Sequence, residues 1–233
     1  MAFVNAMRHR RRSWLSFVVR RRSTEYLSHM RTRIGSLAVV CVIIAMFMIE
    51  FARNAVGNDA RLLGLGALPD SGQIHHEYWR LITAGFLHYD LTHLVLNTLL
   101  LLLIGPVVER RVGIAWLLLI FLSASVASFA GILIKHQLWP SQGVSLGASG
   151  GLFGLLGAAL ALLFRLRSQN RSLRIRLAVV LVGGLTYSVL PGISMIGHII
   201  GLLAGAVIAL VIPLDPALPA ADTNNFIEPS QDK

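Results

Sequence analysis

Two side chains in this sequence have the types and settings for hydrolytic chemistry: Ser149 in "GVSLGASGGLFGLLG" and His198 in "GISMIGHIIGLLAG". A serine hydroxyl is a weak nucleophile until a base takes its proton. His198 is the one histidine deep in a late apolar run, and so the obvious base. At about 100° per residue, Gly201 and Gly205 share its helix face. Gly197, Gly201 and Gly205 also make a small-xxx-small series, which lets another helix come close. The serine run carries Gly147, Gly150, Gly151, Gly154 and Gly157, with Gly150, Gly154 and Gly157 near one stripe. Two glycine-faced helices of this kind are natural partners. The spacing also suits an ordinary membrane bundle, in which the serine bonds a backbone carbonyl and the histidine bonds a carbonyl across a helix contact.

A second cluster lies in "LITAGFLHYDLTHLVLNTLL". His93 and Asn97, four residues apart, project from one helix face. Both can donate hydrogen bonds, and attack on an amide needs donors aimed at the developing oxyanion. His88, five residues earlier, is expected near the outer mouth, about 140° from His93 on a regular helix. That angle disfavours a shared metal, and His76-Glu77 lacks the second histidine of an HExxH zinc motif. Asp90 is the only aspartate near an apolar run, so paired-aspartate chemistry ranks equally low. A metal site is therefore not expected from these residues. Cys41 is the single cysteine and sits inside the first apolar run, which excludes an intrachain disulfide.

The elements that must position these residues read as membrane helices. Of the 233 residues 55% are hydrophobic and 14% charged, with a mean hydropathy of +0.68, too apolar for a soluble domain. Apolar stretches recur at Leu37–Phe51, Leu91–Val108, Ile114–Ile134, Leu152–Phe164, Leu177–Leu190 and Ile196–Ile212. Six helices is the expected count, the shortest completed by flanking small or polar residues. Cytoplasmic flanks collect positive charge. With the amino terminus inside, residues 1–35, 109–113, 165–176 and 214–233 hold 17 of the 21 Lys and Arg. This asymmetry accounts for most of the +10 net charge, so nucleic-acid binding is not expected. The first run is expected to be an uncleaved anchor, because neither a short charged head nor a clear cleavage site precedes it. The expected organisation is a basic cytoplasmic arm over 1–35, a helical membrane domain over 36–213 and a polar cytoplasmic tail over 214–233. Residues 54–90 form the one long outer connection.

Over about residues 75 to 212 the sequence resembles the rhomboid family of intramembrane serine proteases. "HYDLTHLVLN" is similar to that family's His-rich second helix, "GASG" to its serine motif and "GHIIGLLAG" to its last-helix histidine with trailing glycines. Trp79-Arg80 resembles the start of its large outer loop, and "VVERRVG" the turn after its second helix. The resemblance implies an all-α, six-transmembrane-helix bundle. It implies that Ser149 is the nucleophile and His198 its general base, a dyad with no acid partner. His93, Asn97 and the Ser149 backbone N–H would stabilise the oxyanion, Gly147 would shape the adjoining loop, and Gly201 and Gly205 would let the two helices meet. Glu109, Arg110 and Arg111 would be structural. Where some members carry a tyrosine beside the histidine, this chain has Phe153, whose ring can stack on imidazole but offers no hydroxyl.

The implied substrates are single-span membrane proteins with a helix-weakening segment near the outer end and a small residue before the cut. No nucleotide, metal or organic cofactor is implied, and the short form with six spans makes a bacterial plasma membrane the expected location, ahead of an organelle membrane. The rival of a different class is an inactive rhomboid-like protein that binds membrane clients, and the presence of both Ser149 and His198 speaks against it. A small transporter would need the paired intramembrane acid and base of a coupling site, which this sequence lacks.

Overall fold

The computed structural model describes residues 33–214. Most of the arm expected over 1–35 and of the tail expected over 214–233 therefore lies outside the described residues. The fold is mostly helical. Helix α1 spans Ile34–Ala52 and begins without a side-chain cap of its own. A partner far along the chain supplies one. The Glu109 carboxylate accepts the N–H groups of Gly35 at 2.7 Å and Ser36 at 2.9 Å, and the Ser36 hydroxyl at 2.7 Å. Helix-start N–H groups have no intrahelical acceptor, and an anion there also meets the positive end of the helix dipole. Glu109 and Ser36 are both buried. Glu109→Ala is therefore expected to leave buried donors unpaired and destabilise the fold by about 2–3 kcal/mol. Thermal unfolding in detergent measures this, with Glu109→Gln expected to lose less.

Residues 53–90 fold into α2 (Asp59–Leu65), β1 (Leu68–Pro69), α3 (Arg80–Thr83) and a 3-10 turn, Ala84–Phe86. Arg80 ties this connection together. Its guanidinium donates to the carbonyls of Leu63 at 2.7 Å and Ala67 at 2.9 Å, pairs with Glu77 at 2.7 Å and lies over the Trp79 ring. Helix α4, Leu91–Leu138, starts on Asp90, whose side chain accepts the His93 N–H at 2.8 Å. It bends at Gly113 (φ 79°, ψ 171°) into a first arm, 91–112, and a second, 114–138. Only glycine enters that backbone region without strain.

Strand β2, Val144–Ser145, pairs antiparallel with β1, placing Leu68 opposite Ser145. The Ser145 hydroxyl donates to Asp70 at 2.7 Å, and the Gly147 N–H to the Ala84 carbonyl at 2.9 Å. The long connection is thus fastened to the segment that leads into α5, Ser149–Arg165. Helix α6 is Arg171–Tyr187 and α7 is Met195–Val211. The expected run Leu177–Leu190 is displaced. Asn170 accepts the Leu173 N–H at 2.8 Å, so the helix starts at Arg171 and takes in arginines expected in a loop. Capping outweighs the charge pattern there.

Helix α5 is the centre of the molecule, buried from Gly150 through Ala159 between α7 and both arms of α4. Arg165 at its end donates to the carbonyls of Ala209 and Ile212, fastening the last turn of α7. Helix α6 lies outside, buries only Leu177 fully and exposes Ile175, Val179 and Val182. Among the described residues α1 and α4 are long and apolar enough to cross a membrane by length and composition. Helices α5 and α7 are apolar but only 17 residues long.

Candidate active site

Ser149 is the first residue of α5 and His198 lies in the first turn of α7. The Ser149 Oγ is 2.8 Å from His198 Nε2. Close helix contact produces this approach. A Cβ on Gly201 would collide with the Gly150 carbonyl, and one on Gly205 with the Gly154 carbonyl. Backbone thus meets backbone at a separation that only glycine permits. His198 stands one turn before Gly201, and Ser149 one residue before Gly150, so the contact sets the reach between them. The glycines divide between two neighbours. A Cβ on Gly157 would meet Leu202 of α7, whereas those on Gly150, Gly151 and Gly154 would meet Ser128, Phe121 and Ala124 of α4, and one on Gly197 Ser128 and Ile132.

The imidazole is only 6% exposed and is held by three contacts. Nε2 meets Ser149. Phe153 stacks on the ring face, centroids 4.2 Å apart and planes 5° from parallel, the contact the family resemblance implied. Nδ1 lies 2.6 Å from the Ser188 Oγ, and that hydroxyl is 2.6 Å from the Gly184 carbonyl. Gly184 in turn leaves room for Phe153, whose Cζ would stand 2.7 Å from a Cβ there. The sequence reading missed Ser188. It follows α6 and comes near His198 only because the chain reverses through Pro191-Gly192, and no spacing rule marks such a contact.

On the other side, Gly147 (φ 122°) brings the chain into Ser149, and a Cβ at Gly147 would stand 2.5 Å from His93 Cε1. The His93 ring therefore lies directly against the loop before the serine. Asn97, one turn further along α4, is 4% exposed. Its amide nitrogen is buried and bonds none of the described residues, an unmet donor that needs a purpose.

His88 departs from expectation. Leu87 is extended (φ −88°, ψ 154°), so His88 is not in register with α4 and the 140° angle does not apply. It is fully buried, with its ring centroid 5.1 Å from that of His93. Its backbone N–H donates to the buried Glu50 carboxylate at 3.1 and 3.2 Å. Burial first, and then the neighbouring His93, push its pKa down to about 3, which leaves the ring neutral near pH 7. Among the described residues no three His, Cys, Asp or Glu side chains gather as metal ligands would.

A hydroxyl within hydrogen-bond reach of a buried imidazole, beside a loop and side chains rich in donors, is equipped for nucleophilic attack on a carbonyl. The chain is also similar to known proteins. Residues 75–214 match the Rhomboid domain family. The chain is 33% identical to the rhomboid protease GluP of Bacillus subtilis (strain 168) over 187 residues, 78% of this chain and 35% of that protein. It is 30% identical to YdcA of the same bacterium over 145 residues, 60% of this chain and 70% of YdcA. It is also 32% identical to RHOMBOID-like protein 1 of Arabidopsis thaliana over 156 residues, 65% of this chain and 39% of that protein. The match to GluP and to RHOMBOID-like protein 1 thus spans little more than a third of those longer chains.

Proposed function

The chain belongs to the rhomboid family of integral membrane proteins, and on that premise we propose that it is an intramembrane serine endopeptidase acting on single-span membrane proteins. The single observation that carries the reading is the 2.8 Å contact of Ser149 Oγ with His198 Nε2. In this reading α1, the two arms of α4, α5, α6 and α7 are the six spans. The amino terminus is cytoplasmic and the membrane is a bacterial plasma membrane. Exposed apolar side chains support the membrane-spanning part, such as Met48 and Phe51 on α1, Val179 on α6 and Val207 on α7. The arginine asymmetry supports the orientation.

His198 takes the Ser149 proton as the oxygen attacks the scissile carbonyl, and the developing oxyanion turns toward the Ser149 N–H, His93 and Asn97. The imidazolium then protonates the leaving amine, and water, deprotonated by the same imidazole, hydrolyses the acyl ester. Substrates need a weakened helix near the cut, because a peptide bond inside a regular helix is shielded by its own hydrogen bonds.

A serine-directed fluorophosphonate tests the dyad directly. Purified protein in detergent is expected to label, and His198→Ala and Ser149→Ala are not. An unlabelled wild type, or label that persists in Ser149→Ala, overturns the reading. Asn97→Ala is expected to lower kcat by roughly 10²-fold with KM little changed, the scale of losing one oxyanion donor. Steady-state cleavage of a single-span reporter checks it, and a change confined to KM would place Asn97 in substrate binding instead.

A further inference from the structure

We propose that Ser188 is a positioning residue that fixes the tautomer of His198, the task an acid performs in a catalytic triad; this rests on the protease reading above. A neutral imidazole carries one N–H. For Nε2 to accept the Ser149 proton, the hydrogen must sit on Nδ1, and a buried N–H needs an acceptor. Ser188 Oγ, 2.6 Å away and itself 3% exposed, is placed to be that acceptor.

The direction of the bonds follows from the far end of the chain. Ser188 has one hydroxyl hydrogen and two close neighbours, His198 Nδ1 and the Gly184 carbonyl, both at 2.6 Å. The carbonyl can only accept. With the Ser188 hydrogen on Gly184, a lone pair faces Nδ1 and receives its N–H. The sequence Ser149 O–H to Nε2, Nδ1–H to Ser188, Ser188 O–H to Gly184 then uses every hydrogen. Reversing it puts a hydrogen between Nε2 and the serine oxygen, where it disables the base, and gives up the bond to Gly184. The forward arrangement has three hydrogen bonds against two and is the one competent for attack. When Nε2 takes the serine proton, Nδ1–H remains on Ser188, whose oxygen the backbone carbonyl polarises.

The test reads both turnover and tautomer. Ser188→Ala is expected to lower kcat roughly 10- to 100-fold with KM within about twofold, a smaller loss than removing the charged acid of a triad. Ser188→Thr, which keeps the hydroxyl, is expected to recover most of it. In ¹⁵N-histidine-labelled wild type, His198 is expected to show the Nδ1–H tautomer, and in Ser188→Ala a mixture. A wild type dominated by the Nε2–H form overturns the proposal, as does turnover of Ser188→Ala within twofold of wild type. A slowed Ser188→Ala that keeps the wild-type tautomer assigns the loss to packing and overturns it too. The nitrogen signature requires no turnover, so it still reads Ser188 if the fluorophosphonate result rejects the protease.

Discussion

Ser149→Ala is expected to lower kcat for a single-span reporter by about 10³-fold or more, the scale on which removing the nucleophile disables a serine hydrolase. The substitution deletes the oxygen that stands 2.8 Å from His198 Nε2 and little else. Ser149 is half-buried at the first position of its helix, where alanine is well accommodated. The unfolding temperature should therefore stay near that of wild type, which separates lost chemistry from lost structure. His198→Ala is expected to cost about as much, and the double variant little more, because the two groups act as a unit. A Ser149→Ala protein that keeps a tenth of wild-type cleavage would sink the dyad.

Gly205→Val is expected to cost about 3 kcal/mol or to prevent folding, at the upper end of what overpacking does. A Cβ at residue 205 would run into the carbonyl, carbonyl carbon and Cα of Gly154. No flexible side-chain tip is there to swing aside, so the two helices would have to separate. The same separation would carry Ser149 away from His198, and fluorophosphonate labelling should fall with stability. Gly183 is the control. Nothing lies within 4 Å of a Cβ there, so Gly183→Ala is expected to be neutral or to stabilise by up to about 1 kcal/mol. Equal unfolding temperatures for Gly205→Val and wild type would show that α5 and α7 do not meet as described.

The close helix pair was legible in the sequence because backbone contact leaves its mark in residue type. Gly201 and Gly205 read as a facing surface, and they face Gly150 and Gly154. Phe153 was legible only through the family resemblance, in which some members carry an aromatic residue beside the histidine at that position. His88 was misread because helical periodicity was carried across Leu87, which is extended. The start of α6 was misread because arginines were counted as loop while the cap at Asn170 was passed over. Glu109 read as structural, but its partners at Gly35 and Ser36 lie more than 70 positions earlier, beyond any local pattern. Ser188 left no mark at all, since its contact with His198 is made by a reversal of the chain.

Serine and imidazole reside on separate helices, and the groups steadying the imidazole are a phenyl ring, a hydroxyl and a backbone carbonyl, none of them charged. Neither half carries an ion that would resist transfer into lipid, and neither half is reactive alone. On the protease reading the chain would remain chemically silent during biogenesis, with residues 149–165 already in place, until the helix Met195–Val211 docks. Activation then accompanies the docking of α7, and on the same reading a chain truncated before residue 195 would be harmless to its neighbours.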